Sequence, residues 1–329
     1  MAKTAKRIPA GTIAQGDCLE LMAIWPAGSI DLIFADPPYN IGFKYDHYDD
    51  NREHDDYVQW TREWIDACTR LLKPSGSFYI LIGDEYAAET RLHLRKLEAE
   101  KKLAFRNWII WHYTFGQNCK LKFNRSHAHL FYCVGSAAAK LKSHQKLTKN
   151  PPFTFNRDAI AVPSARQTTY HDARANPKGK LPDDTWYLRP QNAEGVYFKP
   201  EEDTWYQSRL AGTFKERQGW HPCQLPEALL ERIIKVSSNE GDLVFDPFVG
   251  SGTTLAVAAR LKRRWLGCEL SKDYAQRALE RVQHVEATGE TMQIHCADKG
   301  IQRGKPKKKP EPHRSPKDKQ GNLIRSVKS

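Results

Sequence analysis

Residues 35–40 read ADPPYN, and they end the apolar run SIDLIFA at 29–35 with an acid, two prolines and an aromatic. Ile30, Leu32, Ile33 and Phe34 have the make-up of a short buried strand. The strand cannot continue through Pro37 and Pro38, because proline has no N–H to give to a ladder. It therefore ends near Asp36. Each proline fixes its own φ, and the residue before each is held extended. The loop Asp36-Pro37-Pro38-Tyr39 is stiff, and at a strand end it can hold a carboxylate, a carbonyl and a ring in fixed relation. A turn with a capping Asp and a core Tyr would use the same four residues, so the rest of the chain has to decide.

A second apolar strand, GDLVFDPF at 241–248, runs into FDPFVGSGTT at 245–254 and a helical stretch over 253–262. Gly250 and Gly252 at this turn let a ligand approach the backbone, with helix-start N–H groups facing it. No GK[ST] follows, so this is not a triphosphate loop. The third glycine of the dinucleotide fingerprint is also missing. Asp246 precedes the turn. Glu269 closes the next strand, RRWLGCEL at 263–270, where an acid takes the hydroxyls of a ribose. Turn, helix, strand and acid at this spacing point to a nucleoside ligand.

Around these two loops the pattern is α/β. Strands are expected at 12–17, 30–36, 77–84, 105–115 and 128–134, with helices at 18–25, 53–72 and 86–100. KPSG at 73–76 reads as the turn that stops the second helix. Order returns with the amphipathic helix LPEALLERIIKVSS at 225–238 and a β-α-β-α unit to 285, and TMQIHCAD at 291–298 is a further candidate strand. Alternating elements of this kind build a mostly parallel sheet.

The 329 residues carry a net charge of +12, unevenly placed. Residues 301–329 hold ten Lys/Arg against Glu311 and Asp318, with no apolar face, and read as a basic disordered tail. Residues 101–157 hold eleven Lys/Arg and no Asp or Glu, interleaved with Trp108, Trp111, Tyr113, Phe115, Phe123, Phe131 and Tyr132. Either this is a nucleic-acid surface or a solvated face over an aromatic core. The seven scattered cysteines have no metal-ligand spacing and fit a reducing cytoplasm. No run approaches a membrane span, and the first residues lack a signal-peptide pattern.

Taken together, the ordered set resembles the amino-methylating DNA methyltransferases that use S-adenosylmethionine (AdoMet), in the permuted β-class order, over roughly residues 12–285. DPPYN matches the catalytic motif and FDPFVGSGTT the AdoMet loop. Glu269 matches the ribose acid, and QGDCLELM (15–22) the motif whose Asp17 approaches the adenine of AdoMet. HPCQLPEALLERII (221–234) matches the element before the glycine loop, though Leu225 stands where Lys is usual. The resemblance implies an AdoMet-dependent methyltransferase fold in which the strands ending at Asp36 and Asp246 are neighbours. It implies a catalytic half at 12–136, a target-recognition module at 137–221, an AdoMet-binding half at 222–300 and the tail.

The implied catalytic residues are Asp36, Pro37, Pro38 and Tyr39. The implied cofactor residues are Asp17, His221, Gln224, Asp246, Phe248, Gly250, Ser251, Gly252, Thr253, Thr254 and Glu269, with no metal. Lys120, Lys122, Phe123, Arg125, Arg157, Arg166, Arg174 and Arg189 are the expected DNA contacts, and a second aromatic for the target base is expected at Phe123 or Phe131. The implied activity is methylation of adenine N6 in double-stranded DNA, with the base flipped out. Cytosine N4 and a catalytically silent DNA-binding module are the alternatives. Pro222-Cys223-Gln224 imitates the motif of cytosine-C5 enzymes but stands in the wrong order. A homodimer and a cognate restriction enzyme are open as partners, and a nucleoid-associated cytoplasmic location is expected.

Overall fold

The computed structural model describes residues 8–43, 45, 47–113, 120–121, 123–139, 151–168, 170–184, 216–221 and 223–292. Lys122, Arg189, the candidate strand beyond Met292 and the basic tail lie outside them. The strands are β1 (Thr12–Gln15), β2 (Ile30–Ala35), β3 (Leu72–Ile82), β4 (Leu103–His112), β5 (His127–Gly135), β6 (Leu243–Asp246) and β7 (Arg264–Glu269). The helices are α1 (Cys18–Ala23), α2 (His54–Leu71), α3 (Ala87–Ala99), α4 (Ala165–Thr168), α5 (Glu227–Ser237), α6 (Thr253–Arg260) and α7 (Lys272–Thr288).

The strands form one sheet in the order β1-β7-β6-β2-β3-β5-β4, in which β5 alone runs antiparallel to its neighbours. Alternation along β2 sorts its side chains between two cores. Leu32 and Phe34 face α5, α6 and α7, while Ile33 and Ala35 face α1, α2 and α3. Both faces are covered, which is why β2 is apolar at every position but one. Its one acid, Asp31, bridges the sheet: Lys73 Nζ lies 2.6 Å from one oxygen, and the Leu243 N–H donates to the other at 2.9 Å.

KPSG departs from its expected role. Lys73–Gly76 belong to β3, which follows α2 without a break. Ile30 pairs with Leu72 and Leu32 with Ser77, so four residues bulge against one. A side chain at Gly76 would meet the Asp31 carbonyl at 2.8 Å, so the bulge needs glycine for close approach.

The aromatics of 101–157 divide. Trp111, Tyr113, Phe131 and Tyr132 are core, whereas Trp108 and Phe123 are exposed. The start of the expected recognition segment also joins this core. Phe153 is buried, and Asn156 donates from its side chain to the carbonyls of Lys235 and Ser238 at the end of α5. Among the described residues no helix is long and apolar enough to cross a membrane.

Candidate active site

β2 and β6 pair through Leu32–Val244 and Ile33–Phe245, so the two loops of interest leave adjacent strands. β2 leads into α2 on one face of the sheet and β6 into α6 on the other, so a crevice opens between them. A cavity of about 630 Å³ fills it, lined by Asp36, Pro37, Pro38 and Tyr39 of the loop after β2. Asp17, His221, Gln224, Asp246, Phe248, Gly250, Ser251, Thr253, Thr254 and Glu269 line it as well, Asp17 following the strand β1 that pairs with β7 at Glu269.

The glycine turn is built from within. Gly250 has φ +50°, and a Cβ there would come 2.9 Å from His221 Nε2. Gly252 has φ +76°, and a Cβ there would come 3.0 Å from Ala278. Only glycine takes these conformations without strain and leaves that space. Glu269 grips the turn: Oε2 accepts from the Gly250 N–H at 2.8 Å and Oε1 from the Ser271 N–H at 2.9 Å. A carboxylate oxygen can accept more than one hydrogen bond.

Asp246 is buried and accepts from the Phe248 N–H at 2.9 Å. Burial pushes its carboxyl up to about 7, against the hydrogen bonds from Thr254 and Phe248. Asp17 caps α1, accepting from the N–H groups of Leu19 and Glu20. Gln224, an expected cofactor residue, lines the cavity. Its amide accepts from the Gln218 N–H and donates to the Glu216 carbonyl, both at 2.7 Å, so it builds the wall it lines.

At the catalytic loop the Tyr39 hydroxyl donates to Asp36 Oδ1 at 2.8 Å. The Pro38 carbonyl accepts from the Tyr57 hydroxyl at 2.6 Å. Asn40 has φ +55°, and its backbone N–H donates to the buried Asp50 at 2.8 Å. Cys223 also lines the cavity, with the Tyr45 hydroxyl 3.9 Å from its sulfur.

Of the expected DNA contacts among the described residues, Arg125 lines the cavity and the others do not; Arg125 pairs with Asp84 at 2.7 Å and Glu85 at 3.0 Å. Arg157 and Arg174 are exposed and pair with Asp158 and Asp172. Arg166 and Lys120 are exposed. Phe131 is enclosed in the sheet's core and cannot reach a base, while Phe123 is fully exposed.

Sequence reasoning missed Arg281. Fully buried on α7, it donates to the Ser251 carbonyl and Thr253 Oγ1 at 3.0 Å each, and to Glu227 at 2.7 Å. The signal was present: Arg281 shares a helical face with Ala278, Val282 and Val285. Among the described residues no cluster of three or more His, Cys, Asp or Glu could hold a metal ion.

A family model described as DNA methylase matches residues 30–280. The chain is 36% identical over 276 residues to the DNA adenine methyltransferase YhdJ of Escherichia coli strain K12, covering 83% of each. It is 35% identical over 258 residues to the type II methyltransferase M.HpaI of Haemophilus parainfluenzae, covering 77% of this chain and 68% of that one. Among solved structures, the cytosine-N4-specific PvuII DNA methyltransferase superposes with a TM-score of 0.55 at 18% identity, over 87% of this chain and 95% of the other. TTHA0409 from Thermus thermophilus does so at 0.52 and 24%, over 86% and 98%. With a family model spanning both loops of the crevice, this chain belongs to the N6/N4 DNA methylase family and is a DNA methyltransferase.

Proposed function

We propose that the chain is a site-specific methyltransferase acting on the exocyclic N6 amine of an adenine flipped out of double-stranded DNA. The observation that carries this is the cavity shared by the Asp36–Tyr39 loop and the Gly250–Glu269 turn. YhdJ, named as an adenine methyltransferase, supports adenine over cytosine.

The donor half fits AdoMet: a carboxylate at ribose position, a left-handed glycine turn on the cavity wall, and Asp17 after β1, the strand that pairs with β7 at Glu269. AdoMet, when bound, supplies an electrophilic methyl group on a sulfonium. Asp36 and Pro37 line the cavity, and the Asp36 carboxylate and the Pro37 carbonyl, both acceptors, each take one N–H of the amine. These bonds draw the nitrogen lone pair out of ring conjugation and aim it. Tyr39 stacks on the base. Positioning supplies most of the rate enhancement. Asp36 acts as an acceptor rather than a strong base, since the methylated ammonium sheds its proton readily.

Residues 12–136 and 222–300 form the two halves of the catalytic domain in this reading, with recognition assigned to 137–221. Exposed Lys120, Phe123, Arg157, Arg166 and Arg174 face the DNA. The active form is a cytoplasmic, nucleoid-associated protein, alone or as a homodimer, with or without a restriction enzyme. Mass spectrometry of nucleosides from duplex DNA treated with enzyme and AdoMet tests the reading. N6-methyladenine is expected. N4-methylcytosine alone would overturn the base assignment, and C5-methylcytosine the mechanism.

A further inference from the structure

The prolines fix φ at 37 and 38 but leave the ψ of Pro38 and both torsions of Tyr39 soft. Those are the torsions that place the Tyr39 ring against Asp36. Two tethers close this gap. On one side, the Tyr57 hydroxyl, fully buried on α2, donates to the Pro38 carbonyl at 2.6 Å. Burial raises the Tyr57 phenol, so it remains a protonated donor.

On the other side, the Asn40 amide is held at both ends. Its Nδ2 donates to the Arg52 carbonyl at 2.9 Å and to the Tyr86 hydroxyl at 2.7 Å. Its Oδ1 accepts from the Arg52 N–H at 2.7 Å. The Tyr57 and Tyr86 rings pack with centroids 4.3 Å apart, so both tethers anchor on one aromatic pair.

We infer that Tyr57 and Asn40 are positioning residues for methyl transfer: together they lock the Pro38–Tyr39 peptide, so that the Asp36 carboxylate, the Pro37 carbonyl and the Tyr39 ring form one preset acceptor site. The Pro38 carbonyl is occupied by Tyr57, so within this reading the carbonyl of Pro37 is the one assigned to the amine. Neither side chain needs to touch the base. The inference rests on the proposed function above.

The test uses Tyr57→Phe, which removes one oxygen, and Asn40→Gly, which keeps the left-handed backbone and removes the amide. Single-turnover methyl transfer should fall by about 10- to 100-fold in each, the scale of sub-ångström misplacement of reacting groups. Affinities for S-adenosylhomocysteine and for target duplex, by calorimetry and fluorescence anisotropy, should stay within about twofold. A purely structural role would lower thermal stability and leave the rate of the folded enzyme intact, which overturns the inference. So would cofactor affinity falling in step with rate. If one variant does not fold, the other carries the test, since the tethers act on the same peptide. A wild-type enzyme that binds S-adenosylhomocysteine and methylates nothing would sink the functional reading instead. The inference would then stand or fall on a crystal structure of Tyr57→Phe, where an unmoved Pro38 carbonyl and Tyr39 ring would overturn it.

Discussion

The Tyr39 hydroxyl donates to Asp36 Oδ1 at 2.8 Å, across three residues of one loop. The bond folds the ring back beside the carboxylate, so the stacking surface and one amine acceptor are set together. Tyr39→Phe should therefore keep stacking and lose alignment, whereas Tyr39→Ala loses both. Single-turnover rates should fall in that order.

Asp36→Ala should remove turnover and leave the cofactor in place. We expect a loss of at least about 100-fold in single-turnover rate, as when one aligned polar group is deleted from a reaction site. Binding of S-adenosylhomocysteine should be nearly unchanged in calorimetry. A variant that retains a substantial share of the wild-type rate contradicts the role given to Asp36.

Glu269→Ala should act in the opposite sense. The carboxylate holds the N–H groups of Gly250 and Ser271 as well as the expected ribose. Charge-assisted hydrogen bonds contribute about 1.5–3 kcal/mol each, so S-adenosylhomocysteine should bind roughly 10- to 100-fold more weakly. The rate at saturating AdoMet should change far less.

Arg281→Met breaks a buried ion pair under the glycine turn and leaves Glu227 with Arg260 and Thr291. Loss of one partner from such a pair costs about 3 kcal/mol. Urea unfolding should show a loss of that order, and cofactor affinity should fall with it because the Ser251 carbonyl loses its donor. Unchanged stability would mean the guanidinium is not paired as observed.

Asp246 makes a pH prediction. Burial raises its carboxyl to about 7, with Glu269 adding in the same direction. Between the unfolded value of 3.8 and about 7 the folded chain binds the extra proton. The stability from this group is fully present below the unfolded pKa and is lost as pH rises towards 7. Urea unfolding from pH 4 to pH 8 should show this downward contribution in the wild type. Asp246→Asn, neutral throughout, should lack it.

The tail supplies +8 of the chain's +12. Removing residues 301–329 should weaken target and non-target duplexes by similar factors. It should also reduce the slope of log affinity against log salt by close to one unit per lost phosphate contact. Site preference and the saturated single-turnover rate should not change. An unchanged salt slope would show that the tail leaves DNA alone.

Much of this was legible in the chain because it is local. Proline stops a strand wherever it stands, glycine opens a turn, and apolar periods of two and 3.6 mark strands and helices. So the sequence by itself determined the α/β class, both loops and the placing of the acid Glu269 at the end of the strand after the glycine turn. Non-local packing decided the rest. The pairing of β2 with β6 brings Asp36 and Asp246 to one crevice across about 210 residues of sequence, a register set by long-range hydrogen bonds. Lys73–Gly76 look like a turn in isolation and become a bulge because Asp31 on β2 binds Lys73 and crowds Gly76. Phe131 and Phe123 read alike in a basic stretch, yet β5 pairs on both edges and encloses one while the other stands in solvent. Arg281 stands on the apolar face of α7 in the sequence, but its partners appear only when α7 packs on the glycine turn, where a charge cut off from water must find Glu227 and a carbonyl. Burial and partnership belong to the packed chain, and only the tertiary structure assigns them.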